Sequence, residues 1–206
     1  MSEPLSIDVY VDYLCPYAHA GAAWLRDVRG QLKGSLVVNW KFFPLEQVNS
    51  DKGEDWKVWE QPLDHRTRGW EGFRAAVAAL QQGDEAFERF HFGWFEALHE
   101  TPVGSKRPSV FEVAERVGLD TARFERDFSD PAHWRRVGED YEAGRENHGV
   151  FGTPTIVFPN GASAYVQTRP APPTDEAMDV WRDFVEIVAD RPYIKEIKRP
   201  VKPQPQ

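Results

Sequence analysis

The 206-residue chain contains a single cysteine, Cys15, so no disulfide can close within it. A fold stapled by cystines is excluded, and a lone thiol fits a reducing, cytoplasmic compartment. Positive charge is also scarce. Twenty-five Lys and Arg stand against 33 Asp and Glu, a formal net charge of -8, which argues against a general nucleic-acid binder. No apolar run approaches the ~18 residues of a membrane helix. The opening MSEPLSIDVYVDYLC lacks the basic segment and long apolar stretch of a secretory leader. The expectation is a chain that engages neither nucleic acid nor membrane. Neither a GxGxxG stretch nor a Walker loop occurs, which leaves no nucleotide signature. His91 and His99 lack cysteine or carboxylate partners at ligand spacing, so no metal is expected. What is plentiful is aromatic surface: 13% of residues, eight of them Trp. Rings in that number must be buried or line a pocket. The length suits one domain, or one domain carrying a large insertion.

Periodicity orders the chain. Ile7, Val9 and Val11 alternate with Asp8, Tyr10 and Asp12, the period of two that marks a strand. After Cys15-Pro16 the stretch AHAGAAWLRDVRGQL has helical spacing, with Gly34 as a stop. SLVVNWKFF reads as a second strand, completing a parallel βαβ unit. Residues 46–69 are polar and turn-rich yet carry Trp56 and Trp59, the mark of a functional loop rather than a disordered one. From Trp70 to about Gly144 the spacing is helical, with Asp120 as a candidate N-cap. Thr155–Phe158 returns to strand character, Pro159-Asn160-Gly161 makes a turn, and Ala164–Gln167 reads as the returning strand. A last helix is expected over about 174–189. The resulting plan is an N-terminal half over 1–48, a loop and helical insertion over 49–147, a C-terminal half over 148–190 and an extended tail over 191–206.

The chemistry is expected where the first strand hands over to the first helix. Proline is well placed at a first helical position, where its missing N–H costs nothing. A cysteine just before it faces the positive end of the helix dipole and unpaired N–H groups, which favour a thiolate nucleophile. A lone cysteine is otherwise a small buried hydrophobe, and the strand-Cys-Pro-helix context tips the balance toward a reactive thiol. His19, one helical turn on, is a candidate thiolate partner or a surface histidine. Tyr17 offers a hydroxyl or shapes the rim.

DYLCPYA opening a helix, with GVFGTPTIVF far downstream, resembles the DsbA-like branch of the thioredoxin superfamily. The resemblance implies an α/β thioredoxin-like fold, with a helical subdomain inserted between its βαβ and ββα halves. It also implies a cis Thr153-Pro154 bond facing Cys15. One departure matters: redox members carry Cys-x-x-Cys, and here the last position is Ala18. A dithiol cycle within the monomer is ruled out.

Three functions remain. The first is a thiol-disulfide oxidoreductase working through Cys15 alone, resolved by a small external thiol such as glutathione, mycothiol or bacillithiol. The second is a thiol-dependent isomerase or transferase, similar to the related group of 2-hydroxychromene-2-carboxylate isomerase and kappa-class glutathione transferase. The third is a non-catalytic binding module on the same fold. Cys15 is the expected catalytic residue. Pro16, Tyr17, His19, Thr153 and Pro154 are expected around the substrate, with Trp56 and Trp59 lining a concave surface that faces the thiol. No tightly bound cofactor is expected, and the oligomeric state is not readable from the sequence.

Overall fold

The computed structural model describes residues 3–53 and 55–199. A four-stranded sheet runs in the order β2-β1-β3-β4. β1 (Leu5–Val11) pairs in parallel with β2 (Leu36–Phe42), from Leu5↔Leu36 to Val11↔Phe42. It pairs antiparallel with β3 (Thr155–Val157) on its other side, and β3 pairs antiparallel with β4 (Ser163–Tyr165). α1 (Pro16–Leu32) makes the crossover, ending where Lys33 turns left-handed ahead of Gly34, also at positive φ.

The alternation of β1 is real, but both of its faces are covered. Ile7, Val9 and Val11 face α1 and the inserted helices, while Tyr10 lies in a second cluster with Phe43, Val150 and Val157. The reason is α7 (Pro131–His148), which lies across the other side of the sheet. Its Gly144 sits so close to Tyr10 that a Cβ there would come within 2.6 Å of the ring. Asp140 of α7 accepts the outward-pointing N–H of Phe42 and pairs with Arg136 and Lys41, which blunts one end of the β2 edge.

The insertion holds α3 (Arg68–Leu80), α4 (Asp84–His99), α5 (Val110–Arg116), α6 (Thr121–Phe128) and α7. Their starts follow local rules. Thr67 caps α3, Ser109 and Glu112 form a capping box on α5, Asp120 caps α6, and Asp130 precedes Pro131 at the head of α7. The loop read over 46–69 is more ordered than its composition suggests: it begins in a short helix, α2 (Leu45–Val48), and contains a 3₁₀ turn at Val58–Glu60. α8 (Ala177–Val188) closes the fold over α1, with Trp24 edge-on to Trp181 at 5.9 Å and donating to the Ala177 carbonyl at 3.0 Å. Residues 191–199 follow without helix or strand. The rest of the tail read over 191–206 lies outside the described residues.

Candidate functional site

Cys15 is the N-cap of α1, in extended backbone conformation, with Pro16 at the first helical position. Its own side chain does not cap the helix. Instead Sγ donates to the Thr153 carbonyl at 3.3 Å, across the loop that leads into β3. The Thr153-Pro154 bond of that loop is cis. Pro154 rests on α1 at Gly21, where an added Cβ would lie 3.1 Å from the proline Cγ. Glycine at that position lets the two segments touch. Sequence order separates Cys15 from Pro154 by most of the chain, and the antiparallel β1–β3 pairing brings them together.

The loop that presents the thiol is pinned by groups that the motifs do not include. Asp12 accepts the Leu14 N–H with one carboxylate oxygen and the Leu45 N–H with the other, both at 2.7 Å. It thereby ties the β1–α1 turn to the β2–α2 turn. Burial pushes its carboxyl up to about 6, while the two N–H donors pull the other way. His99 donates through Nε2 to the Tyr13 carbonyl at 2.8 Å, and burial holds it below the ordinary histidine range. The Tyr13 hydroxyl meets Nδ1 of His91 at 3.0 Å. His91 is enclosed by rings, with Trp40 only 4.3 Å away between centroids, and burial lowers it to about 3. It stays neutral at physiological pH. The only sequence signal for Asp12 was a carboxylate at the end of a strand, which a surface residue gives equally well.

Cys15 is 7% exposed, so little of it meets solvent. Leu14 (37%), Tyr165 (38%) and Phe151 (62%) stay open to solvent beside it, with the Phe151 and Tyr165 rings 5.1 Å apart. Burial raises the Tyr165 hydroxyl, with smaller contributions from the nearby Cys15 and Tyr17. Phe151 and Tyr165 were not candidates from sequence, because an exposed ring and a buried one look alike in a one-dimensional pattern.

The remaining candidates separate. Tyr17 is partly buried against the main core. His19 is engaged by the inserted helices: its Nε2 lies 3.0 Å from Glu100, and its ring stacks on His99 at 4.9 Å and 11°. Trp59 is buried on the α7 side of the sheet, 5.3 Å from Tyr141 and pressed onto Gly138. Trp56 lies edge-on to His65 at 6.1 Å, beneath Lys52. These two rings pack against the loop that carries them and against α7. Among the described residues no group of His, Cys, Asp and Glu is placed to hold a metal ion.

A family model described as a DSBA-like thioredoxin domain matches residues 6–172. Rv2286c, an uncharacterized protein of Mycobacterium tuberculosis (strain ATCC 25618 / H37Rv), is 29% identical over 204 residues, which is 96% of this chain and 83% of that protein. A thioredoxin-like oxidoreductase from Silicibacter pomeroyi DSS-3 superposes with a TM-score of 0.53 at 23% identity, over 88% of each chain. 2-Hydroxychromene-2-carboxylate isomerase gives 0.56 at 17% identity, over 93% of this chain and 100% of that one. At such identities the likeness to both structures is one of fold.

Proposed function

The chain belongs to the DSBA-like thioredoxin domain family, and from that premise we propose that it is a thiol-disulfide oxidoreductase working through Cys15 alone, resolved by a small external thiol. The observation that carries this reading is the Cys15 Sγ held 3.3 Å from the Thr153 carbonyl at the head of α1, with buried Ala18 where a resolving cysteine would stand.

Chemistry begins with loss of the thiol proton. That breaks the bond to Thr153, which only the S–H form can make. The sulfur is left facing the uncapped first turn of α1, whose N–H groups and dipole favour an anion. The thiolate attacks a mixed disulfide between a substrate and a small thiol. A bond forms from Cys15 to the small thiol's sulfur, the old S–S bond breaks, and the substrate leaves as thiolate. A second small thiol then attacks the adduct, regenerates Cys15 and departs as its own disulfide. The substrate sulfur is reduced and the small thiol oxidised, so the electrons balance. The open rim of Leu14, Phe151 and Tyr165 suits an apolar substrate flank, and a reducing cytoplasm suits the cycle.

Intact mass after exposure to bis(2-hydroxyethyl) disulfide tests this reading. A single adduct on Cys15, released by added thiol and absent from Cys15→Ser, is expected. If the folded protein forms no adduct and resists iodoacetamide, the single-cysteine cycle is wrong and a non-catalytic module becomes the better account.

A further inference from the structure

One face of α1 leads away from the thiol into a charged groove. Cys15, His19, Ala22 and Arg26 recur at i, i+4, i+7 and i+11, which places them within about 60° of one another around the helix. From His19 onward this face forms one wall of a cavity of about 460 Å³, closed on the other side by α4 and by the end of α5. Its floor is apolar, with Phe92 and Phe95 among the lining residues. Gly93 of α4 keeps its wall tight: a Cβ there would meet Val117 at 2.8 Å.

The charges around this cavity are unevenly matched. Arg116 faces Glu96 at 3.6 Å, and His19 faces Glu100 at 3.0 Å. Arg26 and Arg89 have no carboxylate within ion-pair distance among the described residues. Arg26 sits 5.2 Å over the Phe92 ring, and Arg89 uses Nε on the Val117 carbonyl at 3.0 Å, leaving its two terminal nitrogens without a hydrogen-bond partner among the described residues. Two exposed guanidinium forks without counter-charges thus stand over one apolar floor. Guanidinium forks match carboxylates in shape as well as sign.

We propose that this groove holds the carboxylate-bearing body of the small thiol that resolves the Cys15 adduct. The proposal rests on the single-cysteine reading above. Its reach is consistent. Arg26 lies eleven residues along α1 from Cys15, about 16 Å of helix rise. Its side chain leans back toward the helix N-terminus, which shortens the gap to the extent of a tripeptide, roughly 10 Å. The ligand class is a thiol with two carboxylates, as in glutathione or bacillithiol. Mycothiol, which carries none, is disfavoured.

The test separates the groove from the sulfur chemistry by using S-methylglutathione and S-methylbacillithiol, whose blocked sulfurs cannot exchange. Binding to the wild-type protein is followed by amide chemical shifts, beside the double variant R26Q/R89Q. Both side chains are exposed, so the fold should tolerate their loss. At least one probe is expected to bind and to perturb α1, α4 and α5, with affinity falling about tenfold or more in the variant. S-methylcysteamine, which has no carboxylate, should not bind. Absence of binding by both probes, or affinity unchanged in R26Q/R89Q, would overturn the groove assignment. Adduct formation with bis(2-hydroxyethyl) disulfide needs no groove and reports on Cys15 alone, so the two ideas fail independently.

Discussion

The inserted helices and the thiol end of the sheet treat buried charge and aromatic rings in opposite ways. In the helical layer Arg74 is 3% exposed and has no carboxylate partner among the described residues. It lies 4.2 Å over Phe128 and 4.5 Å over Trp134, and donates to the carbonyls of Phe128 and Leu63. Trp70 and Trp134 meet edge-on beside it at 5.6 Å. The guanidinium and both indole rings there are buried. At the thiol end the buried charge is Asp12, spent on two backbone N–H groups that hold the Cys15 turn, while Leu14, Phe151 and Tyr165 are left outside. One region uses rings and a cation for stability. The other uses a carboxylate to position a loop and leaves apolar surface free for contact.

The largest effect on stability should come from breaking the helical side of this contrast. Arg74→Leu strands the buried Phe128 carbonyl and removes the donor to that of Leu63, and should cost roughly 3 kcal/mol. Urea unfolding measures that loss. The rate of adduct formation per folded molecule should stay at the wild-type value. A rate that fell together with stability would show that the helical layer also shapes the site.

A smaller effect is expected from the thiol end. Gly21→Ala places a methyl 3.1 Å from Pro154 Cγ, so the loop carrying Thr153 must give by a few tenths of an ångström. About 1 kcal/mol of stability should be lost, with adduct formation on Cys15 slowed several-fold. Unchanged reactivity in a destabilised variant would mean that the Pro154 contact serves packing alone.

The most delicate effect is a cancellation around Tyr13. Asp12 moves from 3.8 unfolded to about 6 folded. Between those values the folded chain holds a proton that the unfolded chain lacks, so this group makes stability fall as pH rises. His91 moves the other way, from 6.5 to about 3. Over that range the unfolded chain holds the extra proton, and stability rises with pH. The two slopes oppose each other between about pH 4 and 6. Asp12→Asn should therefore make stability climb more steeply with pH than in the wild type over that window, and His91→Gln should tilt it downward. Denaturation midpoints at three pH values decide, and curves parallel to the wild type would refute both assignments.

The sequence by itself determined the elements and the chemistry-bearing pair. Strand alternation, helix caps such as Asp120, and the Cys15-Pro16 start all depend on neighbours within one turn of chain, so their physics is local. The GTPT stretch was legible for a different reason, because resemblance placed it opposite Cys15. What only the tertiary structure decided was which face of each element would be covered. Tyr10 alternates with the core side chains of β1, and α7, more than a hundred residues later, covers it. Trp56 and Trp59 have the composition of a pocket, and α7 and the loop itself take them up instead. Phe151 and Tyr165 look like core and stay outside. Burial is a property of what packs against a residue, and a one-dimensional pattern records only the residue.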